Sequence, residues 1–456
     1  LKDHHPEQMH ELADRGIRQI AVTWVNHAGQ SLVKVVPLRL LPEAISTGVG
    51  FSPVSDAFCR DGTIDAQHQL AKPDGDLRLK ADPASLAPLE VVPGWAWAAG
   101  ERWDRSLGAY AADQRLFCRR MGNSLEQAGL RMQTGFELEW MVLSPDGEGN
   151  AQAVIPGGPY GADRLIEGFD YATAVLHALD EAEVRWVQFH PEYGPSQFEL
   201  SFEACAPLAS ADQLIRTRLV IQRVTRRFGW FCSFSPKPKP TWVGNGGHLH
   251  FSVRDSQGPL LQGGAGSYGL RPEGEALIAG VLEQLPSLIA LASPANVSYQ
   301  RLVPSTWSAP FQVWGVENRE AALRLIPTAC DGRAAHLEIK AVDPTANPYL
   351  LLGALQAHVL AALRQPRPLP GAQSGDPAKA NAADTTIQRL PSNLNEARAA
   401  FRSDAVLAEA MGELLHSTLG DSMVSEIRRG EGITNAQQSD GDCWWPLVGG
   451  LGRAPF

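Results

Sequence analysis

The sequence predicts an α+β protein: a small, mainly β N-terminal part, then a larger part in which an antiparallel sheet is flanked by helices. Three observations predict it. Two β-branched apolar runs, Ile17–Val25 and Ser31–Pro37, are separated by Asn26-His-Ala-Gly29, the pattern of a hairpin with a glycine-containing loop. Beyond residue 113, segments with apolar residues three or four apart alternate with short strand-like runs. The length of 456 residues, with 44% hydrophobic and 20% charged, allows a large core and excludes wholesale disorder.

Each element follows in order. Residues 8–16 read as a short helix stopped at Gly16, ahead of the hairpin. From Gly48 to Arg105 the chain is rich in Gly, Pro and Asp, with Trp95, Trp97 and Trp103 among short apolar pieces. We place an N-terminal unit at residues 1–107 and a catalytic unit at residues 108–456. Helical spacing returns at Asp113–Gly129, where Cys118, Met121 and Leu125 recur three or four apart, with Leu116 before them. Strands are expected at Phe136–Val142, Gln197–Phe202, His248–Val253, Leu323–Ile326 and Leu337–Val342. Helices are expected at Tyr171–Glu183, Ala211–Phe228, Glu275–Leu291 and Asn347–Arg364, the last beginning just after Pro344. Gln365–Asp384, rich in Pro, Gly, Ala and Ser, reads as a mobile surface loop.

Composition excludes several functions. Lys+Arg 40 against Asp+Glu 50 gives a net charge of −10, so no chain-wide basic footprint for nucleic acid exists. The six cysteines are scattered without a CxxC pair, which points to reduced thiols in a cytoplasmic protein. No apolar run reads as a membrane span of roughly 20 residues, and the first residues hold no apolar signal core. Gly264-Ala-Gly266-Ser-Tyr-Gly269 matches GxGxxG in letters, but lacks the preceding strand, the following helix and the later acidic residue of a dinucleotide site. No GxxxxGK[ST] loop occurs.

The informative pattern is carboxylates on strands. Glu137 and Glu139 stand at i and i+2 of a strand and so point to one face. Glu192 and Glu199 follow in HPEYGPSQFEL, then His248 and His250, again i and i+2, and finally Glu338 in HLEIK. Like charges crowded on inward faces need cations between them. Hard oxygen donors with an imidazole suit Mg²⁺ or Mn²⁺, and their number suggests two or three ions. Arg301, Arg319, Arg324, Arg333 and Lys340 cluster beside Glu338. Guanidinium forks next to metals make a place for phosphate.

These blocks together resemble the glutamine synthetase superfamily. The resemblance rests on Glu137-Leu-Glu139, Glu192 with Gln197-Phe-Glu199, Gly246-Gly247-His248-Leu-His250, Asn296-Val-Ser-Tyr299-Gln-Arg301, Asn318-Arg319 with Arg324, and Glu338-Ile-Lys340 with Asn347-Pro348-Tyr349, in family order across residues 135–352. More loosely, the N-terminal hairpin resembles the family's β-grasp domain. The resemblance implies an ATP-dependent ligase that phosphorylates the γ-carboxylate of L-glutamate and lets an amine displace the phosphate. It implies one metal on Glu139, Glu192 and Glu199 and another on Glu137, His248 and Glu338. It implies ATP contacts at His250, Ser252, Arg324 and Arg333, glutamate contacts at Gly244, Arg301 and Lys340, and catalytic roles for Arg301, Arg319 and the flap position Ser308. Double-ring homo-oligomers, usually dodecamers, with sites between neighbouring subunits are the family's habit.

Three departures concern the amine. Ammonia-using members carry a flap Glu just before Ala-Pro; here Pro304-Ser-Thr-Trp307-Ser308-Ala-Pro310 is one residue longer and has none. The ammonium-binding Asp of the N-terminal domain has no match in Gly48-Val-Gly-Phe51-Ser-Pro53, and Asp56 is offset. The Arg of Glu-x-Arg is Lys340. Losing two carboxylates disfavours a small cation, while Phe51 and Trp307 favour an apolar substituent. The sequence therefore points to a γ-glutamyl–amine ligase acting on a small alkyl- or arylamine, and most resembles γ-glutamylmethylamide synthetase-like members. The competing readings are an ordinary glutamine synthetase, a non-catalytic ring-forming relative and, last, a guanidino kinase.

Overall fold

The computed structural model describes residues 5–328, 332–383 and 387–447. Helix α1 (His5–Asp14) leads into the hairpin of β1 (Gln19–Val25) and β2 (Ser31–Pro37), whose antiparallel register pairs Val25 with Ser31. After α2 (Leu41–Ser46) come β3 (Val49–Phe51), β4 (Leu77–Ala81), β5 (Ala87–Pro88) and β6 (Trp95–Trp103). They form a mixed sheet of order β2-β1-β6-β4-β3, with β1 and β6 parallel, as a β-grasp unit requires. Its core gathers Ile20, Val22, Trp24, Leu41, Phe51, Leu79 and Ala98.

The second sheet holds the chemistry. Helix α3 (Gln114–Gln127) is capped by Asp113, whose carboxylate accepts from Leu116 N, and the turn after it uses Gly129 at φ +75°. Strand β7 (Arg131–Pro145) is longer than the apolar pattern predicted, because its polar ends are also paired: residues 131–136 with a later strand and residues 143–145 with β8 (Ala151–Ala153). Helices α4 (Ala162–Glu167) and α5 (Phe169–Glu181) precede β9 (Trp186–Pro191) and β10 (Gln197–Phe202). Next come α6 (Pro207–Arg227), β11 (Phe231–Ser233), β12 (Leu249–Asp255), β13 (Gly258–Pro259), α7 (Pro272–Ala292) and α8 (Ser298–Arg301). Strands β14 (Trp314–Val316), β15 (Leu323–Ile326) and β16 (His336–Ile339) complete a sheet of order β14-β15-β16-β12-β7-β10-β9.

Helix α9 (Pro348–Arg364) starts where expected, capped by the Asn347 side chain, and packs against α3, α6 and α7. The chain then runs through α10 (Pro377–Ala383), α11 (Leu394–Ser403), α12 (Ala405–Met411), α13 (Glu413–Gly430) and α14 (Asn435–Asp442). Residues Phe136, Leu138, Trp140, Phe198, Leu200, Leu249, Phe251, Leu337 and Ile339 face this helical core. The intervening residues on the same strands form the opposite face, which is where the glutamates and histidines lie.

Helix α7 is long and apolar enough to cross a membrane, but most of it is buried, packed between α9 and α11. One expectation needs correction. The segment after α9 is not a free loop over its described part. Gln373 N donates to Trp314 O at 2.8 Å, and buried Trp314 donates its Nε1 to Pro370 O at 2.8 Å. Asn318 Nδ2 adds bonds to Gln373 O and Gly375 O, both 2.9 Å. Its backbone groups find partners, and α10 continues it; Asp384 lies outside the described residues. Cys59, Cys118, Cys205, Cys232 and Cys443 are free thiols, while Cys330 lies outside the described residues.

Candidate active site

Strand register assembles the site. Glu199 on β10 stands directly opposite Glu139 on β7. His250 on β12 stands opposite Glu338 on β16, and Arg324 on β15 opposite the same Glu338. The turn before β12 continues along β7, with Glu137 N donating to His248 O at 2.9 Å and Glu139 N to Gly246 O at 3.1 Å. Gly246 must be glycine, because a Cβ there would lie 2.5 Å from His248 Nε2 and 2.7 Å from Glu139 Oε1. Its own N–H donates to Glu139 Oε2 at 2.8 Å.

Of the six expected metal ligands, Glu137, Glu192, Glu199, His248 and Glu338 fall in groups that could hold an ion, while Glu139 only borders them, opposite Glu199 on the next strand. His248 Nδ1 lies 2.9 Å from Glu137 and 3.4 Å from Glu338, and its Nε2 lies 3.9 Å from Glu139. His250 stands 3.2 Å from Glu137, inside the ligand group rather than only on the nucleotide side. Ligand atoms converge in three groups: Glu137, His250 and Glu338; Glu137, Glu199 and His248; and His190, Glu192 and Glu199. The sequence reading missed His190, whose Nε2 lies 3.3 Å from Glu192 and 3.8 Å from Glu199. Its signal was visible: it precedes Glu192 by two residues, the same spacing as the other pairs. The reading also missed Gln197, whose amide donates to Glu139 at 2.9 Å, and Tyr160, which hydrogen-bonds Glu192 and stacks on His190.

The electrostatics call for cations. Burial, together with Glu137, Glu139 and Glu192, raises the Glu199 carboxyl well above the ordinary carboxylate range. Burial likewise raises Glu139. Glu338 goes the other way: burial would raise it, but Lys340, His248 and His250 outweigh that and hold it down to about 2. Crowded carboxylates with imidazoles among them fit hard divalent ions, which would relieve the repulsion.

Of the cations, three join the site. Lys340, nearly fully buried, donates to Glu338 Oε1 at 3.1 Å, and Arg324 bonds Glu338 Oε2 at 3.1 Å and Glu317 at 2.5 Å. Lys340 thus supports a metal ligand as well as lying near the expected substrate. Arg301 is buried, bonds Lys340 O at 3.3 Å, and keeps a buried Nη1 without a partner. Arg319 and Arg333 are exposed and stand outside this buried set; Ser252 is half-buried on the His250 face of β12. Gly244 accepts from Gln197 at 2.9 Å through its carbonyl, and a side chain there would meet Arg301 Cγ at 2.8 Å.

The structure combines these residues as one family does. Residues 111–432 match the family described as glutamine synthetase, catalytic domain. The chain belongs to the glutamine synthetase family. It is 41% identical over 440 residues to gamma-glutamylpolyamine synthetase GlnA3 of Streptomyces coelicolor, covering 94% of this chain and 93% of the relative. It is 28% identical to a glutamine synthetase of Thermococcus kodakarensis over 83% of this chain and 82% of the relative. A crystal structure of a novel glutamine synthase homolog superposes with a TM-score of 0.83 at 27% identity, covering 93% of this chain and 97% of that one. As a glutamine synthetase family member, the chain is an ATP-dependent, divalent-metal-dependent carbon–nitrogen ligase.

The amine-side positions differ from expectation. Ser308 is 3% exposed and works inside its own loop: it accepts from Val303 N at 3.1 Å and donates to Val303 O at 2.9 Å. It braces the flap and is not presented to a substrate. Trp307 is 54% exposed, ready to meet one. Phe51 packs on Trp24 at 5.1 Å between ring centroids, in the N-terminal core and not against Trp307. Asp56 is fully buried, with Arg102 Nη1 at 2.5 Å and His27 at 3.7 Å, so it is committed to structure.

Proposed function

We propose that this glutamine synthetase family enzyme joins the γ-carboxylate of L-glutamate to a primary alkylamine rather than ammonia, through a γ-glutamyl phosphate. An aliphatic polyamine is the first substrate to test. The observation that carries the reading is a set of carboxylates and histidines that could hold metal ions, together with a flap that offers no carboxylate of its own and an Asp56 already taken by Arg102. The 41% identity to a gamma-glutamylpolyamine synthetase supports the same reading and moves the first candidate from a small apolar amine to a polyamine.

His190, Glu192 and Glu199 would hold one ion, with Glu139 opposite Glu199; Glu137 would share others with His248 and Glu199 and with His250 and Glu338. Bound Mg²⁺ or Mn²⁺ supplies neutralisation of the phosphoryl charge. Arg301 offers its unpartnered Nη1 to a substrate carboxylate. Lys340 keeps Glu338 ionised for metal binding. We infer that a ring of copies completes the site, since Phe51 lies in the N-terminal core of its own chain.

The test is phosphate release from ATP and L-glutamate with Mg²⁺ or Mn²⁺ and a panel of ammonia, methylamine, aniline, a diamine and a polyamine, with mass spectrometry of the product. Turnover of an alkylamine or polyamine above ammonia is expected. Best turnover with ammonia would return the protein to ordinary glutamine synthesis, and no turnover at all would favour a non-catalytic ring.

A further inference from the structure

The flap lacks the family's glutamate, yet a carboxylate stands directly behind it. Glu320 follows Asn318-Arg319 in the loop before β15 and is 8% exposed. Its Oε1 accepts from Trp307 N at 2.7 Å, and its Oε2 is buried without a hydrogen-bond partner. Ala322, two residues on, accepts from Lys340 N at 3.1 Å, which ties this loop to the strand carrying Glu338 and Lys340. Glu320 is close enough to Lys340 and Asp376 to feel both charges.

The flap is also where backbone strain gathers. Ser305, Trp307 and Ala309 have φ between +56° and +60°, three of the nine non-glycine residues with positive φ among those described. A strained loop is kept when something depends on its shape. At its tip Ser305 Oγ donates to Asp376 at 2.8 Å and Trp307 N donates to Glu320, while its far end is anchored, with Ala309 buried in the core and Pro310 O accepting from Leu390 N at 2.9 Å. If Glu320 served only as a latch, a neutral acceptor would do, without a buried charge and an unpaired oxygen.

We propose that Glu320 meets the ammonium group of the amine substrate and takes its first proton, the task that the flap of this chain cannot perform. The inference rests on the reading of the enzyme as a glutamate–amine ligase. An alkylamine reaches the site as R–NH₃⁺, and its N–H donors replace the Trp307 N–H on Glu320. One proton passes to the Glu320 carboxylate. The freed lone pair attacks the carbonyl carbon of the γ-glutamyl phosphate; a C–N bond forms, the C–O bond to phosphate breaks, and the second proton leaves with the phosphate. Glu320 then returns its proton to solvent.

The test compares two nucleophiles in the full-length enzyme. Hydroxylamine is largely neutral at pH 7 and needs no base, whereas an alkylamine does. Glu320→Gln should lose roughly 100-fold or more of alkylamide formation, the usual share of a general base, while forming γ-glutamyl hydroxamate at the wild-type rate. Its residual alkylamide rate should climb with pH as the neutral amine accumulates. Hydroxamate formation also reports that the variant is folded. Equal loss with both nucleophiles, or no loss with either, overturns the proposal. If the wild-type enzyme forms hydroxamate but no alkylamide, the reading of the amine substrate fails and this inference with it; if it forms both and Glu320→Gln matches it, only the inference fails.

Discussion

We read the sheet face and the flap as the two walls of one site, and they are built on opposite principles. On the sheet, each ligand is fixed by strand register and backed by an apolar neighbour in the core: Glu137 and Glu139 alternate with Phe136, Leu138 and Trp140, and Glu338 lies between Leu337 and Ile339. The flap is a loop with left-handed residues at Ser305, Trp307 and Ala309, an exposed tryptophan at its tip and a buried Ala309 at its end. In the proposed reading, metal and phosphoryl chemistry, which tolerate little displacement, would sit on the rigid wall, and choice of amine would be set on the loop, where a change of length or residue leaves the metal ligands in place.

The largest effect should come from the rigid wall. Glu338→Ala and Glu137→Ala should each lower turnover on the order of 10³-fold or more, as expected when several kcal/mol of metal-borne transition-state stabilisation is lost. Circular dichroism should stay native. Near-normal rates in either variant would break the distinction between the walls, since the sheet would no longer be indispensable.

Next is the fate of Asp56. Arg102 bonds Asp56, Asp113 and Ala112 O, linking β6 to the segment that caps α3. Arg102→Met should destabilise the fold by about 3–5 kcal/mol, the range for stranding one member of a buried ion pair, as read by denaturant unfolding. A stable variant with a weakened amine KM would instead put Asp56 in the amine site.

Metal affinity should depend on pH with a definite sign. Glu199 is held above the ordinary carboxylate range by burial and by neighbouring carboxylates, so in the metal-free protein it carries a proton to higher pH. Binding must displace that proton, and affinity should fall as pH drops from neutral, by up to about tenfold per pH unit per proton displaced. Titration of the metal-free enzyme with Mn²⁺ at several pH values measures this; a flat profile would remove the carboxylate repulsion from the account.

The smallest effect belongs to the flap brace. Ser308→Ala removes two hydrogen bonds to Val303, worth about 1 kcal/mol each. It should raise the amine KM modestly and leave metal affinity unchanged. A loss of alkylamide formation with hydroxamate retained would move the chemistry from Glu320 to Ser308.

Much of the rigid wall was legible because strands have a period of two. Alternation places Glu137 with Glu139 on one face, and the same spacing sets His190 beside Glu192. The ends of β7 were less legible, because polar residues there are held by partner strands and not by apolar burial. The loop after α9 read as mobile from its composition, whereas its bonds to Trp314 and Asn318 depend on parts of the chain more than fifty residues away.

The flap shows the limit most clearly. From the sequence, Ser308 and Trp307 stood in the place of a missing glutamate, and both were offered to the amine. The fold turned Ser308 inward to Val303 and brought Glu320, thirteen residues from Trp307, behind it. By itself the sequence determined the fold class and the family, because periodic patterns and ordered motifs are local properties. Which carboxylate stands behind the flap, which aspartate is consumed by an arginine and which loop is tied down were decided only by tertiary structure, because hydrogen bonds and ion pairs between distant segments leave no period in the chain.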